Sequence, residues 1–205
     1  MKVQAKVGKQ VASNSSETDL RSDKSGALNV SDAHARLMQA TLDGEVYIGA
    51  NLGGTPVTTQ AGLSATTPAL TLYNPVGSGV YLVLQTVTVD ITTAPAAAAG
   101  FMLAYNTMNA TAPSATTTAT ITSAIVGSNY TPSGQCYRIA TLAAAPLAFR
   151  FIGGTTGAAA ISGVQLIDHV DGEVVIPPGV AISVQATSAA ACLCSFCWEE
   201  IVIAQ

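Results

Sequence analysis

Apolar and polar positions along this chain alternate in short runs, which is the pattern of β-strands and not of helices. The clearest stretch runs from Leu70 to Asp90, where two β-type runs flank a turn built from Asn74, Pro75, Gly77 and Gly79. Proline presets φ and the glycines admit positive φ, so the chain can reverse here, and we read the stretch as a hairpin. After the turn, Tyr81, Val83, Val87, Val89 and Ile91 recur at period two, with only Gln85 breaking the face. The opposite face reads Val80, Leu82, Leu84, then Thr86, Thr88, Asp90. Apolar on both faces and later on one, this strand is expected to start between two layers and run out toward water. Val80, Leu82 and Leu84 then form an extra apolar patch and are candidates for subunit contact. A second buried layer of the same sandwich is the alternative.

The last third is equally regular. Val164 to His169 reads as a strand, Asp171-Gly172 as a turn, and Glu173 to Ile176 as a run leading into Pro177-Pro178-Gly179. Val180, Ile182, Val184 and Ala186 then alternate with Ala181, Ser183, Gln185 and Thr187. Cys194, Phe196 and Trp198 form one apolar face, but beyond Glu199-Glu200 the apolar positions become Ile201 and Ile203. That change of phase predicts a bulge near Trp198 to Glu200, or a strand passing between layers. Further strands are expected at 45–50, 100–105, 118–126, 136–142 and 147–152, with loops at 51–68, 106–117 and 153–157. Residues 31–44 read as an extended lead-in, or alternatively as a short helix capped by Ser31 and ended by Gly44. Roughly nine short strands with Gly/Pro turns and almost no helix indicate an all-β fold, a β-sandwich of jelly-roll type. We place it in a single domain at 32–205, behind an extended N-terminal arm at 1–31 whose polar composition cannot fix itself.

Composition narrows the function. Charged residues make up 10% of the chain, against about 25% in an ordinary soluble domain. Such a surface suits a subunit that hides much of itself in an assembly. Six of the eight cations (Lys2, Lys6, Lys9, Arg21, Lys24, Arg36) fall in the first 36 residues, against four acids there. The remainder holds two arginines and eight acids. A body that acidic offers no footprint for a phosphate backbone, so nucleic acid is not an expected partner. Lys2, Lys6, Lys9, Arg21 and Lys24 are candidates for docking the arm on an acidic partner; a solvated arm is the other reading. No apolar run reaches the roughly 18 residues of a membrane-spanning helix, and no membrane partner or hydrophobic leader is expected.

Candidate chemistry is sparse. Cys136, Cys192, Cys194 and Cys197 lack the paired Cys-x2-Cys spacing of a zinc site, and buried thiols acting as small hydrophobes fit better. Asp168, His169 and Asp171 form the one acid–histidine cluster, and Ser162 or Ser183 would complete a triad on paper. However, adjacent strand positions face opposite ways and no Gly-x-Ser-x-Gly elbow exists. The same geometry separates Glu199 from Glu200, which therefore cannot flank one glycosidic bond. Asp168 with Asp171 is too small a set for calcium. Six tyrosines (Tyr47, Tyr73, Tyr81, Tyr105, Tyr130, Tyr137) offer sugar-stacking surface, but nothing in their spacing gathers them. We expect no enzyme, no cofactor and no bound metal.

One resemblance adds to this. Asp32-Ala-His-Ala-Arg36, Gly44-Glu-Val-Tyr47, Leu72-Tyr-Asn-Pro-Val-Gly-Ser-Gly-Val80, Ile176-Pro-Pro-Gly179 and Phe196 to Ile201 together resemble virion structural proteins of tailed bacteriophages. The resemblance spans about residues 30 to 205 and implies a capsid decoration, or cement, protein. Such a protein is a homotrimeric sandwich that binds the major capsid protein between capsomers on the virion surface, after synthesis in the bacterial cytoplasm. A receptor- or glycan-binding module of a fibre or tail is the alternative, and a jelly-roll shell protein the second alternative.

Overall fold

The computed structural model describes residues 36–51, 55–108, 111–157 and 164–203. The expected arm at 1–31, with Lys2, Lys6, Lys9, Arg21 and Lys24, lies outside the described residues. The described chain opens on a one-turn helix, α1 (Met38–Leu42), where an extended lead-in was expected. Gly44 ends it at φ +81°, and the Tyr130 ring lies where a side chain on Gly44 would stand.

Twelve strands follow. Five form the first sheet in the order β10 (Val164–Ile176), β4 (Val80–Thr93), β12 (Ala191–Val202), β1 (Val46–Ala50) and β7 (Thr120–Ser123), with β2 (Val57–Thr58) pairing on β12. The second sheet runs β6 (Ser114–Thr118), β8 (Gln135–Thr141), β3 (Thr71–Asn74), β11 (Val180–Ala186), β5 (Ala99–Thr107) and β9 (Leu147–Thr155). All paired strands are antiparallel. The main pairs nest in the chain: β1 with β12, β3 with β11, β4 with β10, β5 with β9. Successive pairs alternate between the two sheets. The excursion between β5 and β9 supplies β6 and β8 to one sheet and β7 to the other. Only Ala119 separates β6 from β7, so a single bent strand crosses between the sheets and closes that side.

Several expectations change against this frame. Leu70 to Asp90 is not a hairpin, because β3 and β4 belong to different sheets. The turn at 75–79, with Gly77 and Gly79 at φ +78° and +75°, carries the chain across the sandwich. Pro177-Pro178-Gly179 does the same between β10 and β11, and Asn74 fastens the two crossings. Its buried amide donates to the carbonyls of Val80 and Ile176, both at 2.8 Å, while Gly179 N–H donates to Asn74 O at 2.7 Å. Asp171-Gly172 is likewise no inter-strand turn. Both residues have positive φ and form a bulge inside β10, where Val170 to Glu173 stand opposite Gln85 alone. β6 and β2 arise inside segments read as loops, and β9 runs on to Thr155 through the expected turn at 153–157.

The largest correction concerns β4. Gln85 has no partner on β12, since Leu84 pairs Trp198 and Thr86 pairs Cys197. One extra residue reverses the inward phase. Val80, Leu82 and Leu84 face the core before it, and Val87, Val89 and Ile91 after it. The three proposed contact residues are therefore core residues of this chain, packed with Trp198, Phe196, Leu72 and Leu103. β12 itself keeps one phase, with Cys192, Cys194, Phe196, Trp198 and Glu200 all inward, so the bulge expected near Trp198 to Glu200 belongs to its neighbour.

The outer faces of the two sheets differ. Segment 59–69 covers sheet two, where Ser64 exchanges hydrogen bonds with buried Gln185 and Tyr73, Met108, Leu142 and Ala181 form a second small core. This is why β11 is buried on both faces despite its clean alternation. The outer face of sheet one carries Thr86, Thr88, Ser195 and the half-exposed Ile48 and Ile167.

Candidate interaction surface at the open side

Opposite the closed side, β9 and β10 are the outermost strands of their sheets, and among the described residues no further strand continues either one. They meet across the gap at two points. Leu166 of β10 sits against Gly153 of β9, with methyl carbons 3.1 and 3.3 Å from where a Cβ would stand. Only glycine admits that approach without displacing the leucine. Further along, Arg150 turns inward from β9 and forms a two-pronged pair with Asp168, Nε to Oδ2 at 2.7 Å and Nη2 to Oδ1 at 3.0 Å. Its remaining Nη1 donates to Glu173 at 2.7 Å. Hydrogen bonds to the two carboxylates raise the Arg150 pKa further above its ordinary value. Paired charges of this geometry align the sheets more than they stabilise them.

Beyond this ion cluster the sandwich opens. Tyr105 of β5 and Phe149 of β9 stand edge to face, ring centres 6.0 Å apart. With Val174, Val175, Pro177 and Ile182 they line an apolar cavity of about 400 Å³. The ladder to β5 explains how Phe149 comes to project here. Phe149 and Ile152 have no partners on β5, so β9 carries two bulges in nine residues. Leu147, 60% exposed, pairs with Tyr105 and shares its face, whereas Phe151, 66% exposed, pairs with Met102 and stands on the opposite face of the strand. Phe151 also shields Gly100 on the neighbouring strand, its ring 3.0 Å from the site of a glycine Cβ. Edge strands are ordinarily protected by charge, proline or brevity. Here the protection is an inward-pointing charge, Arg150, and two bulges, while the exposed side chains of the edge are apolar.

The other candidates do not assemble. Asp168 faces inward to Arg150, while His169 is exposed on the opposite face and Asp171 turns to Arg36, Nη1 to Oδ1 at 2.6 Å. Ser183 is buried and accepts from Gln185 at 2.9 Å; Ser162 lies outside the described residues. Glu200 points into the core, where it accepts from the Ser133 and Gly134 amides at 2.9 and 2.8 Å and from the Trp198 indole at 3.2 Å. Glu199 faces outward and accepts from Gln85 at 3.3 Å. Burial, reinforced by Glu45 and opposed by Arg36, raises its carboxyl above the ordinary range. Cys136, Cys192 and Cys194 are buried thiols, the last two 3.8 Å apart. Burial pushes the Cys136 and Cys197 thiols up, and Cys194 rises through its contact with Cys192 and through burial. Among the described residues no three His, Cys, Asp or Glu side chains converge as metal ligands. The tyrosines scatter: Tyr47 packs on Trp198 in the core, Tyr73 under the covered face, and Tyr105 alone joins the cavity.

Sequence reasoning identified 147–152 as a strand but missed its role. The available signal was Leu147, Phe149 and Phe151 at period two, with Arg150 between them. Comparisons with protein-family models, curated proteins and solved structures gave no match.

Proposed function

We propose that this chain is a non-enzymatic structural protein of a phage virion, a capsid decoration protein that binds between capsomers and stabilises the expanded head. The observation that carries this reading is the open side of the sandwich, where an apolar cavity adjoins a strand with Leu147, Phe149 and Phe151 exposed. Patches of this kind on proteins with few surface charges mark contact surfaces. The nested pairs alternating between two sheets support a jelly roll, an architecture common in shell proteins and lectins. The side-chain N–H groups of Asn74 and the carboxylate of Glu200 are engaged in holding turns, as a rigid scaffold requires. In this reading the sandwich forms a homotrimer, and the N-terminal segment, about Met1 to Ser31, grips the major capsid protein through its scattered cations.

Adding purified protein to empty expanded shells tests the proposal. Saturable binding that raises the temperature of shell disruption is expected, and deleting residues 1–30 should abolish binding while leaving the assembly soluble. Unchanged occupancy by the truncated protein would overturn the role given to the arm, and absence of binding by the full chain would overturn the decoration reading. A receptor- or glycan-binding module is the second reading, favoured by the Tyr105–Phe149 corner. Binding on a glycan array that is lost in Phe149→Ala would establish it.

A further inference from the structure

We infer that the open side is where copies of this chain meet, with the β9 strips of neighbouring subunits packed around a shared symmetry axis. This deepens the reading above by naming the surface of its proposed trimer, and it rests on that reading only for the number of copies. Three observations select a second copy over an unrelated partner.

The first is charge. Residues 36–205 carry three arginines against eight carboxylates, so copies repel one another over most of their surface. On the open side Arg150 pairs with both Asp168 and Glu173, which leaves one excess negative charge, and the rest of the β9 strip is uncharged from Leu147 to Phe149 and from Phe151 to Thr155. Like copies meet fewer opposing charges along that strip than over the rest of the surface. The second is shape. A nine-residue strand spans about 30 Å, and the sandwich is about 10 Å thick between sheets. The strip is therefore long and narrow, and suits burial along an axis better than stacking on a broad face. With the flanking side chains it offers several hundred Å² per copy, the scale of the roughly 800 Å² each partner contributes to a standard interface. The third is topology. The far side is closed by the strand that bends at Ala119, so this is the only side where both sheets end free among the described residues. A symmetric contact here covers both free edges at once, and the cavity beside Tyr105 and Phe149 receives an apolar side chain of the neighbour.

Sedimentation of the full chain across roughly 0.1–100 μM tests this. The wild type is expected as a closed oligomer. Leu147→Glu and Phe151→Ser are each expected to weaken assembly about 100-fold or more while leaving the β-type circular dichroism unchanged. Phe151 also covers Gly100, so if its variant loses the fold, Leu147→Glu, at an exposed position that covers no glycine, decides alone. A wild type that stays monomeric throughout, or a folded Leu147→Glu that assembles like wild type, overturns the inference. Shell binding separates the two proposals. A monomer that still decorates shells overturns this inference and leaves the function standing, whereas an oligomer sensitive to Leu147→Glu that ignores shells does the reverse.

Discussion

Two apolar triplets in this chain look alike on paper and behave differently. Val80, Leu82 and Leu84 alternate along the central strand β4, and Leu147, Phe149 and Phe151 alternate along the edge strand β9. The first is at most 9% exposed and the second is 43 to 66% exposed. The difference lies in what flanks each strand, and in β9 also in the bulge at Phe149, which puts Leu147 and Phe151 on opposite faces. β4 has β10 and β12 on either side and sheet two above it, whereas β9 has β5 on one side and a gap on the other. Alternation shows that a strand has an apolar face; position in the sheet decides what covers it.

The contrast is sharpest in stability. Leu84→Ala, or Leu82→Ala, should cost about 2–5 kcal/mol in denaturant unfolding, because each opens a cavity among Trp198, Leu72 and their neighbours. A loss under 1 kcal/mol would place these residues at a surface after all. Asn74→Ala should cost about 2 kcal/mol, since the carbonyls of Val80 and Ile176 each lose a buried donor at the crossing. A smaller loss would mean that water replaces the amide there. Leu147→Glu should change monomer stability by less than about 0.5 kcal/mol while disrupting assembly, and a large thermal destabilisation would erase the contrast. Thiol labelling extends the comparison without mutation. Cys197, half buried on the outer side of β12, should react in the native protein, and Cys192 and Cys194 only on global unfolding.

The smallest expected effect is on pH dependence. Glu199 holds its proton more tightly folded than unfolded, so the wild type loses stability as pH rises from the ordinary carboxylate range upward. Glu199→Gln should therefore be slightly more stable than wild type at neutral pH, with the gap closing below about pH 4. A Glu199→Gln variant that is less stable than wild type at neutral pH, with the deficit vanishing in acid, would show that Arg36 outweighs burial and Glu45.

Much of the fold was legible because turns and alternation are local. The spans of β1, β4, β8 and β11 follow from period two and from Gly/Pro punctuation. What escaped was set by partners distant in sequence. A single unpaired Gln85 reverses the phase of β4, and nothing local marks it as a bulge and not a polar residue on an apolar face. Asn74 to Gly79 carries the signature of a reversing turn whether the next strand joins the same sheet or the opposite one. The polar face of β11 reads as solvent-facing, yet Ser64 and its segment, 121 residues away from Gln185, cover it. At the candidate site, the cavity joins residues 105, 149, 174–177 and 182, which no spacing rule groups. Leu147 to Ile152 was visible as a strand, but its place at the edge depended on the order of the whole sheet.

Backbone amide exchange along β9 tests the central claim most directly. In full-length protein at assembling concentration, the amides of Leu147 to Thr155 should be protected to a degree approaching those of β4. In Leu147→Glu the β9 protection should fall while that of β4 persists. If the β9 amides that do not bond to β5 instead exchange at the rate of the loops in wild type and variant alike, the open side is uncovered and copies do not meet there.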